Sequence, residues 1–205
     1  MRTILDFQSS CHELCHRILA LFAVALDIDR GWFTSRHDQG CGPSGSVFRL
    51  LYYPRIDEDF EDGVDIRAGA HSDFGSITLL FQQMGQPGLE IKTPSGGWAP
   101  VPVNPEPIAE GEALPILVNI GDLLEDWTGG LLKSTVHRVI FPQGGGGDRY
   151  SMAYFCHPLD EAVLEPVPSR LVEEHIEETG KSSDRRLITA KDHLMERLAA
   201  TYKIK

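Results

Sequence analysis

Basic residues are in short supply: 19 Lys and Arg stand against 30 Asp and Glu, a formal net charge of −11. A surface of that sign repels phosphate backbones, so no nucleic-acid partner is expected. Solubility is the simplest use of the excess charge. Cysteine is scarce too. Four in 205 residues do not make a disulfide framework, and a reducing, cytoplasmic setting is expected. No apolar run approaches the length of a membrane span, so no membrane partner is expected either. The opening Met1-Arg2-Thr3-Ile4-Leu5-Asp6 lacks the layout of a signal peptide. Internal repeats are missing, and the one low-complexity tract is four glycines at 144–147.

What is present begins with an amphipathic helix over 3–27, where Ile4, Phe7, Cys11, Leu14, Ile18 and Phe22 recur at three- and four-residue steps. Cys11 and Cys15 are separated by three residues, where a haem-attachment motif has two, so both are expected on the apolar stripe. A short helix carrying Trp32 and Phe33 follows, with Asp29 as its expected cap. A Gly- and Pro-rich loop at 37–46 leads into strands.

The first strand, 46–53, alternates. Val47, Arg49, Leu51 and Tyr53 fall on one face and Phe48, Leu50 and Tyr52 on the other. The acidic stretch after it fails as a calcium loop. Counting from Asp57, its glycine comes one place late and the twelfth position is Ala68 instead of Glu. Further strands are expected over 71–81, 114–120, 134–141 and 149–157, with a hairpin of 89–93 and 98–103 turning at 94–97. A surface loop is expected at 104–113, and a short helix or turn at 123–128. The glycine run reads as a hairpin tip, because a strand follows where a phosphate-binding loop needs a helix. Two helices, near 169–179 and 189–202, close the chain, with Ser169 and Thr189 as caps. Many short strands bounded by turn residues, with helices at both ends, predict a mainly β fold: a jelly roll (double-stranded β-helix) braced by N- and C-terminal helices. We read 1–205 as one domain, with a helical N-terminal part at 1–36, a core at 46–158 and terminal helices at 169–202.

The chemistry centres on His71, Asp73 and His137. In a strand, residues two apart face the same way, so His71 and Asp73 are expected to project together. His137 lies on the strand face of Val139 and Phe141. Two imidazoles and a carboxylate on one side of a metal leave the other side open, the arrangement of non-haem Fe(II) oxygenases. His-x-Asp alone is a weak pattern, and zinc would accept the same donors. Arg149 and Ser151 share another strand face. A guanidinium fork and a hydroxyl suit a carboxylate, and Tyr53 could add a hydrogen bond. Taken alone, Arg149 reads more simply as an edge-strand surface residue and Ser151 as a packing residue.

The neighbouring residues change that balance. The segment Arg67-Ala68-Gly69-Ala70-His71-Ser72-Asp73-Phe74-Gly75 and its continuation to Phe81 resemble the first iron motif of the 2-oxoglutarate/Fe(II)-dependent dioxygenases of the isopenicillin N synthase-like family. Asn119-Ile120-Gly121-Asp122 resembles that family's Asn-x-Gly-Asp strand end. Lys133-Ser134-Thr135-Val136-His137-Arg138-Val139 resembles its second iron motif. Arg149-Tyr150-Ser151 resembles its Arg-x-Ser motif, and Leu51-Tyr52-Tyr53-Pro54 its Tyr-Tyr-Pro strand. The motifs run in order from about Arg49 to Pro158.

The resemblance implies that His71, Asp73 and His137 bind Fe(II), and that Arg149, Ser151 and Tyr53 receive 2-oxoglutarate. It implies consumption of O2, release of succinate and CO2, and oxidation of an unactivated C–H bond in a small organic molecule. Arg49, Leu51 and Phe155 are the candidate substrate contacts. Two alternatives stay open: an Fe(II) oxidase of the same fold that uses no 2-oxoglutarate, and a truncated, non-catalytic metal-binding remnant. Members of the family usually carry a further N-terminal region. An uncovered jelly-roll face and self-association through it are therefore expected.

Overall fold

The computed structural model describes residues 2–56, 66–105, 112–141, 147–180 and 187–202. The acidic stretch at 57–65, most of the 104–113 loop and most of the glycine-rich hairpin tip lie outside the described residues. No helix is long and apolar enough to cross a membrane among the residues described.

Helix α1 (Arg2–Ala25) follows its periodicity. Cys11, Cys15, Leu19 and Ala23 are buried one turn apart, while Leu5, Leu21 and Val24 face outward. All four cysteines are free thiols, two of them on this stripe. The helix ends at Asp27, whose φ of 54° is in the left-handed region that short polar side chains tolerate. Asp29 does not cap α2 (Trp32–Ser35). Gly31 holds that position, and the Asp29 carboxylate instead accepts the Gly31 N–H at 2.8 Å in a turn that sets up the helix.

Two antiparallel four-stranded sheets form the core of the fold. The first has the order β1 (Val47–Tyr53), β8 (Arg149–Cys156), β3 (Ile77–Gln82), β6 (Leu117–Ile120). The second has the order β2 (Ile66–His71), β7 (His137–Ile140), β4 (Leu89–Lys92), β5 (Trp98–Pro100). The expected strand over 71–81 is therefore corrected: it is two strands in different sheets, joined by a turn at 72–76. Gly75 makes that turn possible. A Cβ there would lie 2.6 Å from the Cys156 carbonyl oxygen and 2.8 Å from His157 Nε2. The 114–120 strand shortens to β6 and is half-exposed instead of buried, because it forms an edge of the first sheet.

Helix α1 covers part of the outer face of the first sheet. Phe7 packs on Phe48 and Phe81, with ring centroids 5.3 and 5.1 Å away. Beyond the helix the same face leaves Leu50, Tyr52 and Tyr150 exposed, the two tyrosines stacked at 4.9 Å. The main hydrophobic cluster joins α1 and Phe33 to Ile77, Leu79, Leu123, Leu124 and Trp127, so α3 (Asp122–Trp127) is buried through its three large apolar side chains. At the C-terminus, α4 (Arg170–Thr179) starts at Ser169, whose hydroxyl donates to the Leu26 carbonyl at 2.6 Å instead of capping its own helix. Thr189 does cap α5 (Ala190–Tyr202): its Oγ1 accepts the Asp192 N–H, and the Asp192 carboxylate accepts the Thr189 N–H.

Candidate metal centre and anion pocket

His71 ends β2 and stands directly opposite His137 on β7. Their ring centroids are 4.4 Å apart. Each Nδ1 meets a backbone carbonyl two residues upstream: His71 that of Gly69 at 2.7 Å, His137 that of Thr135 at 3.0 Å. A carbonyl can only accept, so Nδ1 carries the proton and Nε2 presents a bare lone pair. Asp73 is not on the strand with His71, contrary to expectation; it lies in the turn between the sheets. The turn still brings it to the same place. One oxygen, Oδ2, accepts the Asn119 side-chain N–H at 2.9 Å, while Oδ1 sits 3.7 Å from His137 Nε2. One donor atom from each of the three residues lies within 4.8 Å of the others. Two imidazole nitrogens and a carboxylate oxygen, drawn together with their remaining atoms tied up elsewhere, are a donor set that fits Fe(II).

The start of α3 holds the turn. Asp122 N donates to the Asp73 carbonyl at 2.7 Å, Gly121 N to Ser76, and Leu123 N to Gly75. Gly121 fits so closely that an added Cβ would lie 2.2 Å from the Gly75 carbonyl oxygen. The Asp122 carboxylate accepts the Ser72 hydroxyl at 3.0 Å and pairs with Arg197 of α5. Beneath the turn, His37 is fully buried, its Nδ1 bonded to the Phe33 carbonyl and its Nε2 to Ser76 Oγ at 2.9 Å. Burial pushes its pKa down to about 3, so it is a neutral structural ring. Burial, with His193 nearby, likewise pushes His157 down to about 4.

Arg149 is the second centre. It is 1% exposed, which overturns the simpler reading of a surface residue. Its guanidinium donates to Ser151 Oγ at 3.3 Å and to Gln82 Oε1 at 3.4 Å, and stands 5.4 Å from the Tyr53 ring centroid. Tyr53 thus offers its ring face to the cation. Arg149 Nε is buried without a hydrogen-bond partner, and no carboxylate pairs with this guanidinium among the described residues. Burial lowers the Arg149 pKa from its ordinary value. A buried, uncompensated cation is costly, and an anionic ligand would relieve that cost.

The two centres share one chamber. His71, Asp73 and His137 line it with Tyr53, Arg149 and Ser151. A second cavity also reaches His71 and Asp73 and is bounded by Arg49, Phe155, His157 and the α5 side chains Leu194 and Leu198. Of the candidate substrate contacts, Arg49 stands at this mouth, Leu51 lines the inner chamber with Arg149, and Phe155 borders both. The sequence reasoning assigned no role to Asn119, although its motif was visible. Asp122 closes that same motif and likewise had no role assigned, while Gln82 and the α5 wall carry no short-range signal.

Fold and site together define a non-haem iron oxygenase class. The family description "2OG-Fe(II) oxygenase superfamily" matches residues 44–158, more than half of the chain, and the chain belongs to that family. Its cofactors are accordingly Fe(II), 2-oxoglutarate and O2. The chain is 40% identical to the UPF0676 protein C1494.01 of Schizosaccharomyces pombe, over 98% of this chain and 57% of that protein. It is 32% identical to the proline hydroxylase buaE of Petromyces alliaceus, over 96% of this chain and 58% of the relative. The crystal structure of a full-length Neurospora crassa protein in complex with alpha-KG and thymine superposes with a TM-score of 0.77 at 35% identity, covering 98% of this chain and 56% of that one. The chain thus spans little more than half the length of these relatives.

Proposed function

We propose that this protein is a 2-oxoglutarate-dependent oxygenase acting on a C–H bond of a small organic molecule, with succinate and CO2 as co-products. The observation that carries this reading is the buried Arg149, which pairs with no carboxylate among the described residues, standing with Ser151 in the same chamber as the His71, Asp73 and His137 donors. Relatives support it: one bears the name proline hydroxylase, and another was crystallised with alpha-KG and thymine.

His71, Asp73 and His137 would hold the iron. When bound, the iron supplies the O2 chemistry that couples decarboxylation of the keto acid to oxidation of the substrate. The chain's own residues do the positioning. Arg149 offers its fork, and Ser151 its hydroxyl, to the distal carboxylate of 2-oxoglutarate. The carbonyls of Gly69 and Thr135 hold the proton of each neutral ring on Nδ1, so that Nε2 is the atom turned to the metal, and Asn119 keeps one Asp73 oxygen occupied. Leu51, Leu80 and Val139 on the chamber wall exclude water, which strengthens each polar contact inside.

Adding Fe(II) and 2-oxoglutarate without oxygen is expected to give a visible charge-transfer band, and His71→Ala is expected to abolish it. Admitting O2 with a substrate should release one succinate per O2. A band that survives His71→Ala would remove the ligand assignment. O2 uptake without succinate would favour the oxidase that uses no 2-oxoglutarate.

A further inference from the structure

We propose that the mouth of the site takes an organic acid, its carboxylate held by Arg49 and its apolar body lying against Phe155 and the α5 side chains Leu194 and Leu198. This rests on the oxygenase reading for the location of the reacting centre, since the mouth shares His71 and Asp73 with the chamber of Arg149.

Arg49 sits on the inward face of β1 and faces Ala153 across the ladder to β8. Ala153 is small and buried, so the long side chain has room to lie across it. Two pairs along, on the same face, Val47 stands opposite Phe155, and the Arg49 guanidinium carbon lies 5.5 Å from the Phe155 ring centroid. The ring and the cation therefore form one two-part surface at the edge of the cavity. Carboxylates outnumber cations in this chain, 30 to 19, and Arg36, Arg138, Arg170 and Arg197 each pair with one. Arg49 has no such partner among the described residues.

Among the described residues, the only carboxylate lining this cavity is Asp73, and its Oδ2 is already taken by Asn119. Leu194, Leu198 and Phe74 supply apolar lining to the same cavity. A ligand that suits these walls has a compact hydrocarbon or aryl body and a single anionic end. Fixing that end at Arg49 would lay the body beside His71 and Asp73. The same acid group would be a poor tenant of the apolar wall, so Arg49 also sets which way round the ligand enters.

The test uses a series of acids from propanoate to 3-phenylpropanoate, each with its primary amide, titrated against the metal-free chain by ligand-observed NMR. The longer acids are expected to bind up to about fivefold more tightly than their amides, the upper end of the scale for one exposed ion pair. Arg49→Leu should erase that difference, and Arg49→Lys should keep part of it. Because Arg49 is exposed, neither variant threatens the fold. Equal binding of acids and amides, no binding of either, or an acid preference that survives Arg49→Leu would overturn the proposal. The Fe(II) and 2-oxoglutarate band of the unsubstituted chain is read separately. Its absence would remove the oxygenase reading and leave the acid preference to stand or fall alone.

Discussion

The two sheets of this protein are matched in different ways. In the first, β1 lies against β8 without a break, from Val47 opposite Phe155 to Tyr53 opposite Arg149, and β3 follows β8 with the same regularity. Helix α1 covers part of its outer face, and Ile77 and Leu79 are fully buried. In the second, β2 meets β7 with two register shifts between Ile66 and His71, and most of its residues are exposed or half-exposed. The anion anchor is built on the first sheet, while the metal donors hang from the end of the second and from the turn between them. Packing therefore fixes Arg149 and Ser151. Hydrogen bonds from backbone groups and from the start of α3 fix His71, Asp73 and His137. Stability and metal affinity should consequently respond to different substitutions.

The largest expected effect tests the packed side. Leu79→Ala removes a fully buried side chain and is expected to cost about 3 kcal/mol of stability, read by urea unfolding. Fe(II) affinity of the protein that stays folded should hardly move. A large loss of affinity would mean that the two regions are not separable. Gly121→Ala tests the turn. Its new Cβ would meet the Gly75 carbonyl oxygen at 2.2 Å, so the turn must shift, at roughly 2 kcal/mol. Here metal affinity is expected to collapse while Arg149 keeps its place, and a variant that retains full affinity would break the comparison.

Acid should weaken the junction between the regions. His37 stays unprotonated in the folded protein down to about 3, against an ordinary value of 6.5. Below that ordinary value the unfolded chain takes up a proton that the folded chain refuses, so stability falls as the pH drops from about 6.5 toward 3. Between about pH 7 and 5 the loss is expected to be about 2 kcal/mol from this one ring, with His157 adding in the same direction down to about 4. Urea midpoints across that range provide the check, and a flat profile would contradict it. The smallest effect on the fold concerns Asn119, at the edge of the first sheet. Asn119→Ala leaves Asp73 Oδ2 without its donor and is expected to weaken Fe(II) binding by roughly 10- to 100-fold. Its cost in stability should be only about 1 kcal/mol. Isothermal titration with Fe(II) under argon would measure the first, and unchanged affinity would show that the amide does not aim the ligand.

Much of this was legible in the chain itself. Alternation in β1 put Arg49, Leu51 and Tyr53 on one face, and the motifs around His71, His137 and Arg149 marked the residues that converge. The break between β2 and β3 was hidden. Apart from His71 and Asp73, small or apolar residues run from Ala68 to Phe81, and the need for a turn at Gly75 arises from the Cys156 carbonyl on another strand. Burial of Arg149 was equally invisible, because a two-residue alternation says which side a residue faces but not what covers that side. The α5 wall is remote in sequence from the residues it borders, so its place beside the site could not be read from its own stretch of chain.

The carbonyls that steer the two imidazoles belong to Gly69 and Thr135, each two positions upstream on the same stretch of chain. Every amino acid carries that oxygen. Side chains at those two positions can therefore drift through many identities without letting either ring rotate, so the aim of both nitrogens is inherited with the path of the main chain. A centre steered in this way tolerates extensive change in the residues around it, which suits a scaffold whose mouth can be recut for new substrates while the reactive end stays as it was.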